Sequence, residues 1–168
     1  MVWEGTVMTV QEAYDRLKAK FPNAIEDAGE RGLIVEGTQL VEVATHLRDE
    51  AEFDYLSGVI GVDYPEYFEV MYLVYSMEQK VGPVILRVRT GRESPKVPSL
   101  VPVWASANFQ EREAYDLLGI KFEGHPNLKR FFLWEGFPGH PLRKDFDNRI
   151  FSFEELNRTN PEGVRYGD

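Results

Sequence analysis

Apolar positions along this chain follow two periods, one helical and one strand-like. Val10, Ala13, Tyr14 and Leu17 repeat at i, i+3, i+4 and i+7, which predicts an amphipathic helix. Thr9 with Glu12 three residues on reads as its capping box, and Phe21-Pro22 as its end. Two short runs, Ala24 to Asp27 and Leu33 to Glu36, are separated by Gly29 and Gly32 and predict a hairpin. Leu40, Val43, Ala44 and Leu47 then give a second helix, with Thr38 as its expected cap. His46 falls beside that stripe, a packing or surface position rather than a ligand.

Three strands are expected next, over Tyr55 to Asp63, Phe68 to Met77 and Val84 to Thr90. In the last, Val84, Leu86 and Val88 share one face and Ile85, Arg87 and Arg89 the other. The short link Tyr64-Pro65-Glu66 favours antiparallel neighbours. Residues Gly91 to Pro102, with Pro95, Pro98 and Pro102, read as a loop. A third helix is predicted from about Val103 to Leu118, stopped by Gly119, and a short strand over Ile120 to Phe122. The expected fold is α+β: a mixed or mostly antiparallel sheet with helices packed on one face, and an extended irregular C-terminal tail. Residues 1–122 form the globular domain in this reading. Residues 123–168, dense in Gly, Pro and aromatics such as Phe131, Phe132, Trp134, Phe137, Phe146, Phe151 and Phe153, form a docking tail across the domain and against a partner.

Composition narrows the functions. With 168 residues, 43% hydrophobic and 13% aromatic, the chain has enough apolar surface for a packed core. The formal charge of -9 makes it a poor binder of nucleic acid or of anionic membrane. The charge is uneven: residues 1–100 hold 10 basic and 17 acidic side chains, residues 101–168 hold 9 and 11. No cysteine is present, so disulfides, thiolate zinc sites and cysteine-ligated iron–sulfur clusters are excluded. Met1 to Lys20 lacks the pattern of a signal peptide, and no apolar run approaches the ~20 residues of a membrane span. Any membrane link is expected to go through other proteins.

In the third helix, stepping 100° per residue from Trp104 places Ala107, Ala114, Tyr115 and Leu118 on one side. Glu111 lands within that stripe, while Arg112 and Glu113 point elsewhere. An inward carboxylate needs a cation or several N–H donors, so Glu111 is a structural ion pair, a loop anchor or a titrating group with a raised pKa. Gly124-His125-Pro126 recurs as Gly139-His140-Pro141. Each copy is followed by a leucine, a basic pair (Lys129-Arg130, Arg143-Lys144) and a phenylalanine. Glycine permits a bend, proline an extended path, and the basic-aromatic step suits docking to an acidic partner. His125 and His140 lack a close-spaced metal-ligand pattern, and no dinucleotide, P-loop or nucleophile-elbow motif occurs. A free-standing enzyme using His125, His140 and Asp145 and a stand-alone binding module are the rival classes.

The run from Glu111 to Arg130, ERE-AYDLLGIKFEGHPNLKR, closely resembles the signature of the respiratory complex I 30 kDa subunit family. Gly139-His140-Pro141-Leu142-Arg143-Lys144-Asp145-Phe146 matches its second hallmark, and Trp104 to Phe109 the approach to the first. Phe131-Phe132 departs from the aliphatic residues usual after the first basic pair, and the chain is short after Phe146. The resemblance implies a non-redox scaffold in the peripheral arm of a complex I-type, ion-translocating oxidoreductase, on the cytoplasmic side of the membrane. It implies no cofactor on this chain and iron–sulfur clusters in neighbouring subunits. Its partners would be the large quinone-site or hydrogenase-like subunit and the iron–sulfur subunits, and related hydrogenase, F420- or ferredoxin-dependent complexes use a similar part. Glu111, Arg112, Glu113, Asp116, His125, Lys129, Arg130, His140, Arg143, Lys144 and Asp145 are the expected docking or structural residues.

Overall fold

The computed structural model describes residues 8–27, 31–134 and 136–147. Gly29, Phe151 and Phe153, named above, lie outside them. Helix α1 spans Val10–Lys20 and buries Ala13 and Leu17. Its capping box is complete, with the Glu12 N–H donating to the Thr9 hydroxyl at 3.2 Å and the Thr9 N–H to the Glu12 carboxylate at 2.7 Å. Strands β1 (Ile25–Asp27) and β2 (Leu33–Val35) form the expected antiparallel pair. Helix α2 spans Leu40–Asp49 and buries Leu40, Val43, Ala44 and Leu47. Thr38 does not cap it. It sits inside a 3-10 turn, Gly37–Gln39, that runs straight into the helix, so the capping position falls on Gln39 with no side-chain bond. His46 is half-buried, its ring edge-on to Phe21 at 5.7 Å.

Strands β3 (Tyr55–Asp63), β4 (Tyr67–Ser76) and β5 (Val81–Gly91) make an antiparallel meander. Strand β2 joins β5 in parallel, giving one mixed sheet in the order β1-β2-β5-β4-β3. One face of this sheet, with Leu33, Val35, Phe68, Val70, Tyr72, Val84, Leu86 and Val88, is buried beneath the helices. The proline-rich loop holds a strand that its prolines conceal: β6 (Lys96–Pro98) pairs in parallel with β7 (Lys121–Glu123). Three residues suffice for that ladder, and Pro98 stands at its end.

Helix α3 spans Ala107–Leu118, four residues shorter at its start than the periodicity predicts. The N–H groups of Val103 and Trp104 both donate to the Leu100 carbonyl, closing a separate turn, and the Trp104 indole is drawn to the Phe53 carbonyl at 3.2 Å. The helix lies along β3, the edge strand. Gln110 accepts the Val59 N–H at 2.8 Å and the Ser106 hydroxyl donates to the Leu56 carbonyl at 3.0 Å, so α3 side chains occupy polar groups that an edge strand leaves open. Gly61 allows this approach, because a Cβ there would meet the Leu118 side chain at 2.5 Å. One flank of α3 therefore faces the sheet, and the other is free to receive the tail.

Candidate docking site on the third helix

The inner flank of α3 holds Glu111, with no exposed surface. The Ser99 hydroxyl donates to one carboxylate oxygen at 2.6 Å and the Leu100 N–H to the other at 2.7 Å. Glu111 thus anchors the loop that leads into the helix. Burial drives its carboxyl up to about 7, against the opposing pull of the Ser99 and Leu100 hydrogen bonds. No ion pair to Glu111 occurs among the described residues. The Tyr72 hydroxyl is buried without a hydrogen-bond partner among the described residues, and burial together with the Glu111 charge pushes it well above the usual phenol range.

The outer flank presents Arg112 and Asp116, one helical turn apart, and both are buried. The sequence reading has Arg112 pointing away from the core stripe. It does leave the stripe, but the tail covers it, which helical periodicity cannot register. Arg112 Nε donates to the Lys129 carbonyl at 3.0 Å, and Nη2 reaches the Arg130 carbonyl at 3.4 Å. Its guanidinium lies over the rings of Phe109 and Phe131, at 5.2 and 4.8 Å from their centroids. One oxygen of Asp116 accepts three successive N–H groups, from Phe131 (3.1 Å), Phe132 (2.9 Å) and Leu133 (3.0 Å). Converging amides of this kind make a nest for an anion, and here the anion is the protein's own. Arg130 sits 3.7 Å from the second Asp116 oxygen and donates to the Gly139 carbonyl at 3.1 Å.

The second Gly-His-Pro copy closes the end of α3. A helix leaves its last carbonyls unpaired. His140 Nδ1 lies 2.9 Å from the Asp116 carbonyl, which only accepts, so that nitrogen carries the proton. The Leu142 N–H donates to Leu117 at 3.0 Å, and Arg143 Nε to Leu118 at 2.6 Å. A guanidinium there also suits the negative end of the helix dipole. Burial holds the His140 ring below the usual histidine range. Gly119 ends the helix at φ +74°, and a Cβ on it would lie within 2.7 Å of both the His140 and the Arg143 side chains. The Lys144 N–H then donates to Asp63 at 2.8 Å. Arg92, from the loop after β5, ties Asp63, the Tyr64 carbonyl and Asp145 together.

The first copy does less. His125 Nε2 lies 3.1 Å from the Asn108 carbonyl and Nδ1 accepts the Asn127 N–H at 3.0 Å, so the ring braces its own turn against α3. The side chains of Glu113, Lys129, Lys144 and Asp145 are exposed. Arg112, Asp116, His125, Arg130, His140 and Arg143 meet by their side chains along the outer flank and the end of α3, Lys129 and Lys144 join through backbone groups and Asp145 through Arg92; Glu111 stands on the opposite flank and Glu113 in solvent. Phe109, Arg92 and Asp63 belong to the same set of contacts, and sequence reasoning does not single them out. For Phe109, its i, i+3 spacing to Arg112 is the available signal. What the clamp displays is an aromatic tip, with Phe109, Phe131 and Phe132 at 64%, 40% and 58% exposure. Their rings touch in sequence, Phe109 to Phe131 at 5.9 Å and Phe131 to Phe132 at 4.2 Å. Such a patch on a rigid mount, with an arginine between two rings, is the chemistry of a protein–protein anchor.

Comparison with known proteins gives the family. The family described as respiratory-chain NADH dehydrogenase, 30 Kd subunit, matches residues 33–151, more than half of the chain. The C 2 subunit of NADH-quinone oxidoreductase from Rhizobium meliloti is 43% identical over 152 residues, 85% of this chain and 82% of that protein. The C subunit of NADH-quinone oxidoreductase from Moorella thermoacetica is 46% identical over 116 residues, 68% of this chain and 78% of that one. Among solved structures, a trypsin-resistant fragment (1-134) of Nqo5 superposes with a TM-score of 0.56 at 35% identity, covering 72% of this chain and all of the fragment.

Proposed function

The chain belongs to the 30 kDa subunit family of respiratory-chain NADH dehydrogenase, a component of the NADH-quinone oxidoreductase complex, and from that premise we propose that its work there is assembly rather than redox chemistry. The absence of cysteine supports a chain that holds no iron–sulfur cluster of its own. The partners in this reading are the large quinone-site subunit and the iron–sulfur subunits, met on the cytoplasmic side of the membrane. No helix among the described residues is long and apolar enough to cross a membrane, which suits attachment through those partners.

The observation that carries the reading is the aromatic tip. Asp116 shapes the 131–133 turn and Arg112 stacks its first ring, so Phe109, Phe131 and Phe132 are held outward without needing a partner to order them. Preorganisation of this kind leaves more of the contact energy for binding. Residues 123–168 are the docking tail in this proposal, and among its described residues Lys129 and Lys144 are the outward-facing bases, because Arg130, His140 and Arg143 are committed to the chain's own carbonyls. The test is the double variant Phe131→Ala/Phe132→Ala. Its recovery with the complex from mildly solubilised membranes is expected to fall at least about tenfold, the equivalent of ~1.4 kcal/mol. The isolated chain should stay folded and lose about 1–2 kcal/mol, the cost of the contacts that Phe131 makes with Arg112 and Phe109. Normal recovery would refute the tip as the anchor.

A further inference from the structure

Arg112 is the cation at the root of the aromatic tip, and among the described residues its charge is not balanced. It is 7% exposed. Other buried guanidiniums of this protein meet carboxylates: Arg87, at 3% exposure, pairs with Glu69, and half-buried Arg92 ties Asp63 to Asp145. Arg143 has no carboxylate partner among the described residues, but it stands at the negative end of α3. Arg112 lies in the middle of that helix, where no helix end offsets its charge. Its contacts are the carbonyls of Lys129 and Arg130 and the rings of Phe109 and Phe131. The carboxylates closest in sequence are turned away or already engaged. Glu111 is on the opposite flank and Glu113 is in solvent. Asp116 gives one oxygen to three amides and faces Arg130 with the other.

Carbonyl dipoles and ring faces offset part of a guanidinium charge, but a buried cation without an anion depends on the water it can still reach. Nε and Nη2 are used on the two carbonyls. Nη1 has no acceptor among the described residues, and it is not sealed from solvent as the Nη1 of Arg130 is. Arg112 therefore keeps one donor nitrogen in contact with water beside the rings of Phe109 and Phe131. A partner that covers the tip takes that water away, so the partner has to supply the acceptor in its place. A carboxylate does this best, because it accepts in the plane of the guanidinium and also cancels the charge. Ring edges are positively polarised, so an anion can pass the edges of Phe109 and Phe131 without repulsion. A lysine or arginine of the partner would instead meet Arg112 and the exposed Lys129, charges of its own sign.

We propose that the aromatic tip receives an Asp or Glu side chain of a neighbouring subunit, set among apolar residues and hydrogen-bonded to Arg112 Nη1. This rests on the tip being the anchor and names what the anchor recognises. The first test follows recovery of the full chain with its complex, from mildly solubilised membranes, against salt concentration. Arg112→Met is expected to lower recovery at least about tenfold at low salt and to make it less salt-sensitive than the parent. Arg112→Lys keeps the charge, so it should lose only about threefold and stay as salt-sensitive as the parent. Trypsin resistance at Lys129 in the isolated chains shows whether each variant still holds its tail on α3. If Arg112→Met releases the tail, the second test decides. Carbodiimide treatment of the complex carrying Arg112→Lys is expected to join position 112 to an Asp or Glu of another subunit, an amide link that the parent guanidinium does not form. Equal losses and equal salt dependence in the two variants would overturn the proposal. So would a carbodiimide link confined to Glu113, Asp116 or Glu135 of the same chain, or no link at all. The failure of the tip reads differently. If Phe131→Ala/Phe132→Ala loses recovery while Arg112→Met keeps it, the acidic contact alone is wrong, whereas normal recovery of the ring variant removes the tip itself.

Discussion

Helix α3 carries a buried carboxylate on each flank, and the two are satisfied in opposite ways. Glu111, facing the sheet, has one hydroxyl and one amide N–H and no base. Asp116, facing the tail, has three consecutive amide N–H groups and an arginine at 3.7 Å. Both lie fully out of solvent. A buried anion is costly until donors or cations replace its water, so the number of partners decides what each can do. Glu111 is under-supplied, and burial lifts it into the neutral range, where it can gain or lose a proton. Asp116 draws its donors from the backbone of the tail. Its partners therefore exist only when residues 131–133 adopt one shape, and one side chain both attaches the tail and moulds the tip.

The largest effect should follow from removing the richer site. Asp116→Ala leaves three amides without their acceptor and Arg130 without its counter-ion, and losing one side of a buried charged network costs about 3–5 kcal/mol. We expect a loss of about 4 kcal/mol in urea unfolding, with trypsin cutting at Lys129 and Arg130 at least tenfold faster. A variant that keeps its stability and its resistance to cleavage would show that the nest does not hold the tail.

Glu111 should behave in the other direction. Its folded pKa, about 7, lies above the usual carboxylate value, so the folded state binds the proton more tightly than the unfolded chain. Its contribution is fully present below about pH 4.5 and is lost as pH rises toward 7, a swing on the order of 3 kcal/mol. Glu111→Gln, neutral throughout, should flatten that part of the stability–pH curve and be the more stable protein at about pH 8, by roughly 1–2 kcal/mol. Parallel curves for the two proteins between about pH 5 and 8 would mean that Glu111 stays ionised.

The two flanks also differ in how much of each is readable from the sequence. The inner one follows from period alone: Ala107, Ala114 and Leu118 recur at helical spacing and Glu111 falls among them. Strands β3 to β5 and the capping box are legible for the same reason, because each is set by residues close in sequence. The outer flank depends on contacts across long separations. Arg112 meets carbonyls 17 and 18 residues away, and Asp63 meets Lys144 across 81. The tail that makes those contacts has no period to read. Strand β6 is hidden likewise, since only its parallel pairing with β7 defines it. What does mark the outer flank is the paired Gly-His-Pro motif, but not that His140 and Arg143 turn back onto the helix end rather than outward.

A smaller effect tests the seam between helix and tail. Gly119→Ala forces a β-carbon into a left-handed residue and against both His140 and Arg143. The left-handed conformation costs a non-glycine residue ~1 kcal/mol, and displacing the two caps adds a similar amount. A loss of about 2 kcal/mol is expected, with amide exchange accelerating at Leu142 before any residue of the sheet. If the sheet exchanges first, the substitution has damaged the core and not the seam.

The smallest effect should come from Arg112→Lys, which keeps the charge and removes the planar fork. Lysine must reach the Lys129 and Arg130 carbonyls from a single nitrogen on a flexible stem, where Arg112 addresses them from two nitrogens of one rigid plane. Its ammonium is also a poorer filling between two aromatic rings than a flat guanidinium. Together these changes should cost about 1 kcal/mol of stability. Asp116 still gathers its three amides in this variant, so the 131–133 turn should persist and trypsin resistance at Lys129 should fall only severalfold. The ring of Phe131 alone should loosen, seen as a loss of the ring-current shifts that Phe109 and Phe132 impose on it. A collapse as large as that of Asp116→Ala would make the arginine, and not the carboxylate, the clamp that holds the tail to α3.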